Sequence, residues 1–224
     1  SLGVGGVPYT VAKMLAESDK KDLGCHTGTI SDAFLELYKA GKLTNAHKEL
    51  DTGLSAWNLA MGSQELYDWL DAEPQLFHPG DLDYIHSVER ISRLSNVISI
   101  NGGVQLDLMG QENAESTGTR QLSGVGGQMD FLEGAYRSKG GKGFICINSS
   151  RVTKDGERKS NILATIPGGS TISAPRTMIQ YVATEYGIAS LSGKTLRERA
   201  EAMASIAHPD FREELMKYAQ ENFK

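Results

Sequence analysis

Short apolar runs of strand length alternate with helix-periodic segments along this chain, and that alternation limits the fold more than any other feature. Helices are expected over Val7–Ser18, with Pro8 tolerated in the first turn, and over Ser31–Ala40, with Ser31 as N-cap and Gly41 as stop. Further helices are expected over Ser63–Glu73, closed by Pro74, and over Met129–Ser138, Thr195–Pro209 and Asp210–Phe223. Strand signals fall at Leu54–Gly62, Asn96–Asn101, Val104–Gly110, Lys142–Ser150 and Ser160–Pro167. Val104–Gly110 alternates apolar and polar residues and reads as half-buried, and the turn residues Thr153–Gly156 join the last two strands. Thr177–Gly187 carries both kinds of signal. Strands alternating with helices predict an α/β fold with a largely parallel sheet flanked by helices. With no internal repeat or low-complexity linker, one domain over residues 1–224 is expected.

Composition bounds the function. A formal net charge of −5 and a pI near 5.6 argue against a general nucleic-acid binder, which needs a basic face, but leave room for one small anionic ligand. The two cysteines, Cys25 and Cys146, form no disulfide framework and suit a reducing cytoplasm. No apolar run approaches the roughly 20 residues that cross a bilayer. The opening SLGVGGVPYT lacks the basic and apolar regions of a secretory signal. Cytoplasmic location, no membrane and no nucleic acid are therefore the expectations.

The candidate chemistry lies in a few short segments. Two glycine turns, Gly3–Val7 (GVGGV) and Gly124–Gly127, the latter within GVGGQMDF (Gly124–Phe131), each stand before a helix. Glycine permits positive φ and close approach of a ligand to the backbone, and the N–H groups at a helix start bind anions. Such a turn can hold a pyrophosphate or a developing oxyanion. A glycine turn that only lets a helix pack on a sheet is equally common, and neither turn matches a Walker loop or the complete dinucleotide fingerprint. The first turn opens the chain with at most Ser1-Leu2 as its delivering strand, so the sequence reads as if it begins in mid-fold, either as a fragment or as a subunit whose other half is a separate chain. Lys139–Lys142 (KGGK) can clamp a phosphate or form a solvated turn. Cys25-His26 is no metal site by itself, and His47, His78, His86 and His208 show no ligand spacing, so no metal is expected. Glu185, beside apolar residues, reads as a structural hydrogen-bonding group.

Combined, these segments carry a resemblance. The run INGGVQLDLMGQENAESTGTRQLSGVGGQMDF, followed by SKGGK and by YVATEYGIASLSGKTLRERAEAMASIAHPDFREEL, closely resembles the carboxyl-terminal domain of 4-hydroxybutyrate- and butyryl-type CoA-transferases, within the acetyl-CoA hydrolase/transferase family. The leading LGVGGVP resembles the start of that domain, and the likeness runs in order through essentially the whole chain. It implies an open α/β domain that moves CoA between carboxylic acids through a covalent glutamyl-CoA thioester. It further implies CoA contacts at Gly3, Val4, Gly5, Gly6 and Val7 and at Lys139, an oxyanion and CoA contact at Gly127, and a substrate pocket including His86, Gly126 and Gln128. CoA or acyl-CoA would be substrate, with a small carboxylic acid as the second substrate and no metal.

Two departures stand out. Where the family carries its catalytic glutamate, after His-Thr in DLGCHTGTISDAF, this chain has Gly28, which cannot form a thioester. Asp32 and Glu36 lie one and two helical turns further on and would not reach the same point without rearrangement. In DYIHSV, His86-Ser87 stands where the family often has Asn followed by Asp-Pro or His-Pro. The family's amino-terminal domain is also absent from the sequence. Three readings remain: a subunit of a split CoA-transferase-like enzyme, working with a partner chain or as a homo-oligomer; an acyl-CoA-binding homologue without turnover; or an engineered inactive form of an ordinary transferase.

Overall fold

The computed structural model describes residues 1–223, which group into two compact units: Ser1–Asn101 with Asp130–Lys142, and Gly102–Met129 with the chain from Gly143 onward.

In the first unit, a helix α1 (Gly6–Glu17) starts from Gly5 at φ 141°, ψ 173°, a region that essentially only glycine enters. Leu2 forms a parallel bridge to Ile100, and Gly3 N–H donates to Ile100 O at 2.7 Å, so the expected residual strand before the glycine turn is a single bridge. Strand β1 (His26–Ile30) runs into helix α2 (Asp32–Lys39), with Ser31 as N-cap. Gly41 at φ 66° ends α2 in a Schellman motif: its N–H donates to Tyr38 O and that of Lys42 to Leu37 O. Strand β2 (Ser55–Ala60) pairs in parallel with β1, and β3 (Phe77–Pro79) pairs in parallel with β2. Helix α3 (Gln64–Ala72) connects β2 to β3 and is capped by Ser63 Oγ, which accepts from Leu66 N–H. Short helices α4 (Leu82–Ile85) and α5 (Val88–Arg93) follow, then strand β4 (Ile98–Gly102). Helix α6 (Gln128–Arg137) returns to this unit from Asp130 on and brings Phe131 onto a core of Ala56, Ile85 and Ile91.

In the second unit, β5 (Gln105–Asp107) pairs antiparallel with β6 (Glu112–Asn113), and β7 (Ser116–Thr117) with β8 (Arg120–Gln121). Strand β9 (Lys142–Cys146) lies parallel to a later strand described below. Strands β10 (Ser150–Val152) and β11 (Arg158–Ser160) form a hairpin over the Thr153–Gly156 turn. Strand β12 (Ile162–Leu163) is parallel to β5, β13 (Tyr181–Thr184) is parallel to β9, and β14 (Gly187–Ser190) closes a hairpin with β13. Helix α7 (Leu196–Ser205) begins in a capping box of Thr195 and Glu198, and α8 (Pro209–Asn222) begins with proline at its first position. Leu106, Leu108, Ile145, Ile162, Ile179, Leu191 and Met203 are among the large side chains fully buried here.

The sheets are mixed: β1–β2, β2–β3, β5–β12 and β9–β13 pair in parallel, and the antiparallel pairs β5–β6, β7–β8, β10–β11 and β13–β14 are short-range hairpins. Several expected boundaries are corrected. Val104–Gly110 is a strand only over Gln105–Asp107 and is buried on both faces; Gly110 at φ 87° donates its N–H to Asp107 O in a turn. The strand expected at Ser160–Pro167 is reduced to Ile162–Leu163, bounded downstream by Pro167 and the Gly168-Gly169 turn. Thr177–Gly187 resolves into a turn and then β13. Strands β1 and β3, which carried no strand assignment, both form.

Candidate active site

Strand β1 presents the position of greatest chemical interest. Alternation along a strand puts His26 and Gly28 on one face and Thr27 and Thr29 on the other. A Cβ built on Gly28 would lie 2.9 Å from His86 Nε2, 3.2 Å from His86 Cε1 and 3.5 Å from Phe131 Cε2. The imidazole of His86 therefore fills the space into which a side chain at residue 28 would grow. Helix α4 delivers it, since His86 is the C-cap and donates its backbone N–H to Leu82 O at 2.9 Å. Its Nδ1 lies 3.2 Å from Asp130 Oδ2, in the first turn of α6, and its ring meets Phe131 edge-on with centroids 5.3 Å apart. A carboxylate only accepts, so Nδ1 is the donor in this contact and Nε2 is the ring nitrogen beside Gly28. Nε2 has no hydrogen-bond partner among the described residues.

His26 is held in the opposite sense. It is buried, and its Nε2–H donates to Ile85 O at 2.8 Å, which leaves Nδ1 without a partner. Burial pushes its pKa down to about 4, so it stays neutral near pH 7. His26 and His86 pack on Phe131, a core residue that fixes both rings.

The Gly3–Val7 turn has the form of an anion cradle. A Cβ on Gly3 would come within 3.2 Å of both Ile100 O and Asn101 Oδ1, a tight fit. Gly6 has open space around its Cβ position, α1 has no side-chain cap and no acid in its first turn, and Val4 is exposed. The first N–H groups of α1 and the positive end of its dipole are thus uncovered. Lys139 is exposed and makes no ion pair among the described residues. The glycines after it are structural: Gly140 has φ 76°, and a Cβ on Gly141 would sit 2.1 Å from Ala135 O.

In the second unit, Gly124–Gln128 is an exposed turn leading into α6, with Gly126 at φ 60° and open space at the Cβ positions of Gly124 and Gly126. Gln128, at the start of α6, donates its side-chain amide to Glu112 Oε2. Glu112 is fully buried on β6, its Oε1 has no partner, and burial pushes its pKa up to about 8. Glycine at position 103 leaves the room Glu112 needs, since a Cβ there would lie 2.7 Å from Oε1.

Gly28 and His86 are thus brought against each other, and Gly126, Gly127 and Gln128 share one turn. Asp130 and Glu112 carried no functional reading in the sequence. Asp130 sits in an ordinary amphipathic helix, and Glu112 sits in a polar run, Gln111–Asn113, that reads as a turn. The remaining candidates are occupied elsewhere. Asp32 accepts from Ser63 N–H and, at 2.6 Å, from Ser63 Oγ, and Glu36 lies 3.9 Å from Lys39 Nζ. Cys25 is buried, and desolvation raises its thiol to about 11, so it is no nucleophile. Glu185 accepts from Ser149 N–H and Oγ, the structural role expected of it. Among the described residues no group of three or more His, Cys, Asp or Glu could hold a metal, and no helix is long and apolar enough to cross a membrane.

Comparison with known proteins adds the following. The family model described as "Acetyl-CoA hydrolase/transferase C-terminal domain" matches residues 62–219. The chain is 46% identical over 219 residues to the butyryl-CoA:acetate CoA-transferase of Anaerostipes caccae, covering 98% of this chain and 49% of that protein. It is 43% identical to the 4-hydroxybutyrate coenzyme A transferase of Clostridium kluyveri, covering 99% of this chain and 50% of that one. The crystal structure of RipA from Yersinia pestis superposes with a TM-score of 0.89 at 38% identity, over 98% of this chain and 48% of RipA. The chain therefore spans about half the length of the relatives it matches.

Proposed function

Since the chain belongs to the acetyl-CoA hydrolase/transferase family, we propose that it is the CoA-handling, carboxyl-terminal half of an enzyme of the CoA-transferase type, acting on acyl-CoA thioesters of small carboxylic acids together with an amino-terminal half. In this reading the covalent glutamyl step is missing. The carrying observation is Gly28: it has no side chain to attack a thioester, and the His86 imidazole fills the space where one would begin.

The uncovered N–H groups of Gly6 and Val7 suit the pyrophosphate of CoA, and exposed Lys139 suits its further phosphate. The turn at Gly126 and Gly127, entering α6, suits a thioester carbonyl oxygen as charge develops on it. His86 would line the acyl side. Acyl transfer then needs a nucleophile from outside the side chains of β1, either a bound carboxylate or water.

Calorimetric titration of CoA and butyryl-CoA tests the reading, paired with intact mass measurement after butyryl-CoA and borohydride. Binding without a covalent adduct is expected. Absence of CoA binding by the complete protein that carries this chain would overturn it.

A further inference from the structure

We propose that His86, oriented by Asp130, is a general base that activates water beside Gly28, so that the site hydrolyses acyl-CoA thioesters instead of passing the acyl group through a glutamyl thioester. This deepens the preceding reading and rests on it.

Three geometric facts carry the inference. The Nδ1 of His86 is committed to Asp130 at 3.2 Å, which fixes the tautomer and ring orientation. Nε2, which has no hydrogen-bond partner among the described residues, lies beside the strand position where the nucleophile's side chain would begin, 2.9 Å from the Cβ point of Gly28. Phe131 packs edge-on against the ring and is itself anchored in the core with Ile85 and Ile91, so the imidazole cannot drift. A base and an orienting carboxylate are two elements of a triad, with water standing in for its serine. A glycine is the residue this arrangement requires, because even a methyl group at residue 28 would press on Nε2.

The step balances with water as the only co-substrate. Nε2 takes a proton from water as its oxygen bonds to the thioester carbonyl carbon. The tetrahedral oxyanion collapses and breaks the C–S bond, and the Nε2–H proton returns to the departing sulfur. Products are the free carboxylic acid, which ionises in solution, and CoA thiol. Asp130 touches neither reactant and acts as a positioning residue.

The test uses the complete protein with butyryl-CoA in ¹⁸O-enriched water and no carboxylate acceptor, following thiol release and label in the butyrate. Thiol release with one solvent oxygen in each butyrate is expected. His86→Asn should cut kcat by about 100-fold or more with CoA affinity unchanged. Asp130→Asn should lower kcat while leaving KM in place, and Asp130→Glu should recover part of the loss. Gly28→Ala, whose added carbon presses on Nε2, should reduce the rate at least about tenfold and covers the case in which the histidine variant fails to fold. CoA binding without hydrolysis, or hydrolysis at full rate in His86→Asn or in Gly28→Ala, would overturn this proposal while leaving the CoA-handling role intact. Failure to bind CoA at all would overturn both.

Discussion

At the scale of single residues, Gly28 and His86 form a matched pair. An imidazole can occupy its present position only because residue 28 lacks a side chain. Restoring a carboxylate there is consequently not a neutral repair. Gly28→Glu alone must push the His86 ring off Asp130 and against Phe131, an overpacking that should cost about 1–3 kcal/mol in chemical denaturation. Adding His86→Ala should recover at least part of that loss and free the introduced carboxylate to form a CoA thioester visible by intact mass. Equal stability of Gly28→Glu and the unaltered protein would show that the ring has another place to go.

Glu112 is the second residue with a clear energetic signature. Its pKa is raised by burial from 4.5 to about 8, so the folded state holds a proton that the unfolded chain releases. For an acid with a raised pKa the sign is fixed: stability is highest below about pH 4.5 as far as this group is concerned, and declines as pH rises toward 8. Glu112→Gln keeps a hydrogen-bonding partner for Gln128 and removes the ionisation. It should raise the midpoint of thermal unfolding by at least about 3 °C at pH 8 and change it little at pH 5. The same gain at both pH values would show that Glu112 is ionised throughout or neutral throughout.

At the scale of elements, the start of α1 is where backbone conformation and ligand binding coincide. Gly5 at φ 141°, ψ 173° turns the chain so that the first N–H groups of the helix stand uncovered. Gly5→Ala should cost about 1–3 kcal/mol of stability and weaken CoA binding in calorimetry. Unchanged affinity would remove this turn from the CoA site.

Helices were the most legible elements, because caps and stops announce them: Ser63 caps α3, Gly41 closes α2 and Thr195 opens α7, whereas Pro209, expected as the end of that helix, begins α8, and α7 stops at Ser205. Strands were harder. In β1 a glycine interrupts the β-branched signal of Thr27, Thr29 and Ile30, so the strand that carries the central position went unread. β3 is three residues long and ends in proline. Gly28 was legible as a missing glutamate only through the family resemblance. The His86–Asp130 pair was not, since 44 positions of chain separate the two and no local spacing links them. Glu112 offers no signal of burial in a run of polar neighbours; its desolvation is a property of the folded unit alone.

At the scale of the whole molecule, the chain matches about half of the length of these relatives. Family membership and the α/β architecture with parallel sheets stand on the comparisons and the fold together. The central claim is that acyl-CoA chemistry proceeds without a thioester on this chain. Peptide-level mass analysis of the complete protein, quenched with borohydride during turnover of butyryl-CoA, tests it most directly. The account predicts free CoA thiol in solution and unmodified carboxylates throughout, including Asp32, Glu36 and Glu112. A reduced, alcohol-bearing side chain at any of them would mean that a covalent acyl-enzyme route survives and that the role assigned to His86 is wrong.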